Sequence, residues 1–160
     1  MRLTYSIYIS IFLVSWSCQA QKTYQKNYDS RNILLSEGWL EDSKKTDFWR
    51  YYYPNGNVKK EGFYKNNMMC NYWYFYRTNG KKQSEGHFVN GKKNNWWLFY
   101  DSQERIDHKC QITNDVKNGY CLMYKNEKLV AARQYQNGKQ VKEWTNFWAF
   151  KRDNNLQDLK

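Results

Sequence analysis

Apolar and polar positions alternate along most of this chain, and the alternation itself recurs with a step of 24 residues. Trp49 and Tyr52 return as Trp73 and Tyr76, then as Trp97 and Tyr100, and the step carries Tyr100 on to Tyr124 with Cys121 at the Trp position. A fixed period of roughly 20–50 residues marks a repeat architecture. Glu37-Gly38, Glu61-Gly62 and Glu85-Gly86 keep the same spacing, followed by Trp39, Phe63 and His87, and Cys110 stands at the next glycine position. Polar corners punctuate each unit. One set is Asp42-Ser43, Asn66-Asn67, Asn90-Gly91 and Asn114-Asp115; the other is Pro54-Asn55-Gly56, Thr78-Asn79-Gly80, Ser102-Gln103-Glu104 and Asn126-Glu127-Lys128. Each unit therefore reads strand, corner, strand, corner. Asn and Gly tolerate the positive φ that tight reversals require, and the period of two argues against helical hairpins.

Alternation sorts the Trp strands onto two faces. One carries Trp49, Tyr51, Trp73, Phe75, Trp97, Phe99, Cys121 and Met123 and is the expected core; Tyr64, Phe88 and Ile112 hold equivalent points on the returning strands. The other carries Tyr52, Tyr74, Tyr76, Leu98, Tyr100, Leu122 and Tyr124 and is expected to be half exposed. The prediction is an all-β, antiparallel β-hairpin repeat array over residues 36–150, folded as a meandering single-layer sheet. Residues 21–35 read as a polar leader or an edge strand and residues 151–160 as a charged tail. After a one-residue slip between Tyr124 and Tyr135 the pattern continues through Trp144 to Phe147. A small closed barrel is the alternative at this length.

Composition adds how such a sheet can hold together. With eight Trp and fifteen Tyr but few aliphatic residues, the interior must be built from rings, each removing a large apolar area from water while keeping a polar tip wet. At the N-terminus, Arg2 precedes an uncharged, mostly apolar run from Tyr5 to Trp16 and a small or polar stretch ending at Ala20. That order predicts a secretory signal peptide over residues 1–20 and an exported chain, periplasmic or secreted; lipid attachment at Cys18 is the minority reading. The formal net charge of +11 favours acidic surfaces or polyanions. Many of the lysines fall in turns, where solvated charge is the plainer reading, and export disfavours nucleic acid.

The run Trp73 to Tyr76, Asn79-Gly80, Glu85-Gly86-His87-Phe88, Asn90-Gly91-Lys92 and Trp96-Trp97 resembles the MORN-repeat variant, including antitoxins of the YwqK family. The resemblance covers about residues 36–150. Asn71 or Asn94 stands where that family usually has Gly ahead of the Trp strand, and the corner at Ser102 to Glu104 departs from it too. The resemblance implies a hairpin array serving as a scaffold or binding surface, with no catalytic residues; an immunity-type partner for a toxin is one version.

Candidate chemistry is sparse. His87 and His108 are the only histidines, with no Cys-x-x-Cys pair and no third ligand at useful spacing, so no metal or cofactor is expected. Cys110 and Cys121 flank one corner symmetrically, so a disulfide in an oxidising compartment and two small buried thiols both fit; Cys70 is left over. No nucleophile elbow or phosphate loop occurs. Glu37, Glu61 and Glu85, being periodic, read as structural positions paired across strands with Lys or Arg. An enzyme is not expected. The candidate recognition face is Tyr52, Tyr74, Tyr76, Trp96, Tyr100 and Tyr124, interleaved with cations. Its expected partner is another protein, or alternatively an envelope glycan or anionic surface.

Overall fold

The computed structural model describes residues 21–155 and 157; the expected signal peptide, Cys18 and residues 158–160 lie outside them. The strands are β1 (Lys22–Tyr28), β2 (Leu34–Glu41), β3 (Lys44–Tyr52), β4 (Val58–Lys65), β5 (Met68–Tyr76), β6 (Lys82–Val89), β7 (Lys92–Tyr100), β8 (Ile106–Thr113), β9 (Val116–Lys125), β10 (Lys128–Gln136) and β11 (Lys139–Trp144), followed by helix α1 (Phe147–Asp153). All eleven strands form one antiparallel sheet in sequence order, with β1 and β11 as its edges. The sheet is open, so the barrel is not the arrangement adopted.

Two kinds of corner alternate. Asp42-Ser43, Asn66-Asn67, Asn90-Gly91, Asn114-Asp115, Asn126-Glu127 and Asn137-Gly138 all have positive φ at both positions. These are the tight reversals whose twist matches a right-handed sheet. Four of these turns are also tied to the previous unit: the amides of Asn67, Gly91, Asp115 and Gly138 donate to the carbonyls of Lys45, Met69, Lys93 and Lys117 at 2.8–3.0 Å. At the opposite ends run longer loops, in which the amides of Tyr53, Arg77 and Asp101 donate to the carbonyls of Asn57, Lys81 and Arg105. Tyr53 and Arg77 donate from their side chains to the carbonyls of Tyr76 and Tyr100 in the next unit. A long loop is due again after Lys125, but Asn126-Glu127 closes that hairpin and the register slips between Leu129 and Ala131. The residue lost from the sequence pattern falls in that turn: Tyr124 pairs with Leu129, five residues on, whereas Tyr52, Tyr76 and Tyr100 pair with Val58, Lys82 and Ile106, six residues on.

The core follows from one contact used three times. Gly38, Gly62 and Gly86 pair directly with Trp49, Trp73 and Trp97 on the following strand. Each indole lies flat over its glycine: a Cβ there would come within 2.3–2.6 Å of ring atoms. The three Trp side chains are 1%, 0% and 0% exposed. Burying a ring of that size is worth about 4–6 kcal/mol. Next to each pair the ladder skips, from Gly38 to Trp39, Gly62 to Phe63 and Gly86 to His87. The bulging strand turns through positive φ at Asp47, Asn71, Asn95 and, in the fourth unit, Gly119. The indole N–H groups donate to the carbonyls of Trp39, Phe63 and His87 at 2.8–3.1 Å. The bulge thus supplies the acceptor that a buried indole needs.

In the fourth unit the pair becomes Cys110 and Cys121, joined as a disulfide across directly opposed positions with Cα atoms 4.0 Å apart. No indole reaches the bulge there. Instead Gln111 Oε1 accepts the amide of Tyr120 at 2.7 Å, and a Cβ on Gly119, whose φ is +107°, would collide with that Gln111 side chain.

At the N-terminal end the edge-strand reading is the one adopted, and the C-terminal end needs correction. Residues 22–28 of the polar leader form a full strand, β1, with Tyr24 packed edge-to-face on Trp39 at 5.1 Å. The hairpins stop at Trp144, not at residue 150, and α1 takes up what read as strand through Phe147 and the start of the charged tail. Asn146 caps that helix, its side chain accepting the amides of Trp148 and Ala149. Phe150 turns inward against Tyr120 and Trp144, and Lys151 and Arg152 suit the C-terminal turn. Trp144 and Phe147 imitate the repeat spacing, which hides this change of structure.

Gly62→Ala should lower stability in urea by about 3 kcal/mol through overpacking against Trp73. Gly56→Ala, at φ +84° with nothing within 4 Å, should cost only about 1 kcal/mol of backbone strain. Opening the bridge with Cys110→Ala and Cys121→Ala should cost about 3 kcal/mol for so short a loop. The double variant Cys110→Gly with Cys121→Trp should regain at least half of it without any bridge; equal instability of the two double variants would show that the bridge does not stand in for the Gly–Trp pair.

Candidate functional site

The tyrosine face is an internal ladder. Tyr52 Oη donates to Glu37 Oε1, Tyr76 Oη to Glu61 at 2.8 Å and Tyr100 Oη to Glu85 at 2.7 Å. Each carboxylate also meets a cation: Lys26 near Glu37, Arg50 on Glu61 at 2.7 Å, and Lys82 on Glu85 at 3.0 Å. The expected pairing with Lys or Arg is present, across strands for Glu37 and Glu61 and within β6 for Glu85; the further hydroxyl partner comes from the unit's own Trp strand, fifteen residues on. Glu85 is only 8% exposed, so its charge rests on these contacts. The Tyr52 hydroxyl, chiefly, holds the Glu37 carboxyl below its usual range. Burial first, then the accepting carboxylates, push the Tyr76 and Tyr100 hydroxyls well above theirs. Lys109 occupies the next glutamate position, with its ammonium 5.1 Å from the Trp96 ring, so the carboxylate series ends one unit before Tyr124.

The candidate recognition residues therefore separate. Tyr52, Tyr76 and Tyr100 are half-buried and spend their hydroxyls inside the sheet, while Tyr74 lies under the Lys82 ammonium at 5.3 Å. Tyr124 and Trp96 pack against a second apolar cluster of Tyr120, Leu122, Ala132, Trp144 and Phe150, where α1 covers this face. On the opposite face Trp49, Trp73 and Trp97 are buried, whereas Phe75, Phe99 and Met123 are only partly so. Cations roof that core. Lys45 lies 4.6 Å from the Trp49 ring and donates to Tyr51 Oη, Lys60 lies 4.6 Å from Tyr51, and Lys93 4.4 Å from Trp97. Burial lowers the Lys60 and Lys93 ammonium pKa values. His108 stacks on Phe99 at 4.4 Å.

Open surface lies elsewhere, at two places. At the C-terminal end Trp148 is 72% exposed, Phe147 55% and Leu129 52%, with Val130 and Val141 beside them in sequence terms on β10 and β11. Leu129, Val130, Phe147 and Phe150 help line a small apolar hollow of about 100 Å³. Lys125 and Lys128 at the preceding turn, and Lys151 and Arg152 on the helix, are exposed. The second place is a cleft of about 640 Å³ beside the β8–β9 bulge, lined by Tyr72, His87, Trp96 and several amide side chains. Of these only Trp96 stood among the candidates. The apolar run 129–132 and the rings 144–150, lying outside the 24-residue pattern, were the available signal for the first.

Among the described residues no group of three or more His, Cys, Asp or Glu could hold a metal ion. No helix among them is long and apolar enough to cross a membrane. No family model matches the chain, and no curated protein matches it either.

Burial holds the Tyr72 hydroxyl up to about 12 and pushes Tyr64, Tyr76 and Tyr100 up as well, against an ordinary value of 10.0. A raised folded-state value contributes stability that is complete below the unfolded value and lost as pH climbs through the folded one. Stability should therefore hold to about pH 10 and fall above it. Absorbance titration should show a late class of tyrosines ionising together with loss of the sheet; smooth ionisation of all tyrosines near pH 10 with the sheet intact would contradict the ladder.

Proposed function

We propose that this chain is an exported, non-catalytic recognition scaffold of the MORN-variant type, and that its partner is a protein docked on the C-terminal cap. The observation that carries the reading is the contrast between the two ends of the ring system. Along the array most rings and the ladder hydroxyls are engaged with one another, within a unit or between units, and the exposed rings there are 36–49% exposed. At the cap, Phe147, Trp148 and Leu129 stand out in solvent around an apolar hollow. Aromatic anchors of this kind dominate protein–protein binding energies, and an exposed apolar patch at the end of a repeat array is otherwise a liability. The flanking Lys125, Lys128, Lys151 and Arg152 suit a partner whose contact surface is apolar at its centre and acidic at its rim. An immunity-type role, in which the scaffold occupies a toxin, is one form of this function.

A photo-reactive residue at position 148 should cross-link one protein in extracts of the native host. The purified partner should then bind the purified chain with one-to-one stoichiometry. Trp148→Asp together with Phe147→Ser should weaken that binding at least about a hundredfold, and Lys151→Glu with Lys128→Glu should make it slower to form and less salt-dependent. Binding indifferent to positions 147 and 148 would overturn the assignment.

A further inference from the structure

One outer row of rings crosses the sheet on the tyrosine face, just beyond the bulges. It pairs Tyr24 with Trp39, Phe48 with Phe63 and Tyr72 with His87, at ring distances of 4.8–5.4 Å. Trp96 is the next member at the 24-residue step, and its pairing partner on β8 is Gln111. No ring stands there. The Gln111 side chain is drawn to the amide of Tyr120 at 2.7 Å, because the disulfide unit lacks the indole that would fill the bulge. The row is thus interrupted at one position, and the cleft of about 640 Å³ opens at that position, between the Tyr72–His87 pair and Trp96.

We propose that this cleft binds a neutral glycan. Its volume falls in the range of small-ligand sites. Tyr72, His87 and Trp96 give it ring surface for the C–H faces of pyranose rings. Asn95 and Asn118 give it amides, which donate and accept at once, as sugar hydroxyls do, while the Asn94 side chain is engaged with the backbone of Lys92 and Asn114. Asn118 uses its carbonyl oxygen on the Asn137 amide at 3.3 Å, which leaves its NH₂ group to donate. The lining contains no Lys, Arg, Asp or Glu, and the Lys109 ammonium beside it is held over the Trp96 ring at 5.1 Å, so a phosphate or a carboxylate on the ligand would have to draw that cation off the ring to find a counter-charge. That separates a neutral sugar from a nucleotide or an acidic polysaccharide. The site lies on the array itself and shares no lining residue with the hollow at the cap, although Trp96 packs against the cluster beneath that hollow.

The test is a titration of isotope-labelled protein with chitotetraose, cellotetraose and maltotetraose, following the Trp96 indole and the Asn95 and Asn118 signals. At least one of the three should give saturable shifts confined to this cleft, unchanged at high salt. Trp96→Ala should weaken that binding at least about tenfold. Because Trp96 also packs on the second apolar cluster, Asn118→Trp serves as the variant that fills the cleft from its exposed rim, and it should abolish binding in a protein with an unchanged melting temperature. Trp148→Asp should leave sugar binding intact, whatever becomes of the protein partner. No saturable shift with any of the three sugars, full binding by Asn118→Trp, or salt-sensitive displacement by heparin or single-stranded DNA would each overturn the proposal.

Discussion

The close approach of an indole to a glycine in the preceding strand is the constraint on which the sheet depends. A single-layer sheet has no second layer to bury its apolar face, so it must find its interior within its own surface. Laying Trp49, Trp73 and Trp97 flat over Gly38, Gly62 and Gly86 does this. Each large ring is enclosed because the residue beneath it has no side chain. The bulge follows from the same contact, since the buried indole N–H needs an acceptor and the skipped ladder position offers one. So does the need for Asp47, Asn71, Asn95 or Gly119, because the bulging strand passes through positive φ. Turn-to-turn backbone bonds and the Glu–Tyr ladder then repeat the linkage on the turn edge and on the opposite face. Stability in such an array is a sum of units and of their junctions.

Most of the architecture could be read from the residues before any geometry was known. Alternation with Asn-Gly corners specified the strands, and the constant step of 24 specified which side chains would lie side by side. The glycine's purpose could not be read, because a conserved spacing of Gly and Trp does not say that one lies under the other. The glutamates were understood as charge partners for Lys or Arg because sequence spacing within one strand does not reveal that a tyrosine fifteen residues later returns alongside. The helix escaped notice for a local reason: Trp144 and Phe147 copy the Trp-x-x-aromatic signature of the strands, and Asn146 acts as a helix cap only once Phe150 has a cluster to enter.

The proposed sites lie where the pattern breaks. Within the regular units most rings and carboxylates are occupied with one another, and Tyr52, Tyr76 and Tyr100 of the candidate recognition face commit their hydroxyls inside the sheet. The repeat changes at the Cys110–Cys121 unit and again at the short Asn126-Glu127 turn. Next to the first break lies the Trp96 cleft, and next to the second the exposed cap of Leu129, Val130, Phe147 and Trp148. Both are properties of irregular positions, where side chains are released from the packing of the repeat and can be directed at something outside the chain.

Hydrogen exchange at the indole N–H groups tests the central claim most directly. If the Gly–Trp contact holds the array together, the indole protons of Trp49, Trp73 and Trp97 should exchange only through cooperative opening of the sheet, at rates matching its most protected backbone amides, while the Trp148 indole exchanges freely. Exchange of those three indoles as fast as that of Trp148, in a sheet whose amides remain protected, would mean that the rings are not locked over their glycines and that the sheet is held by something else.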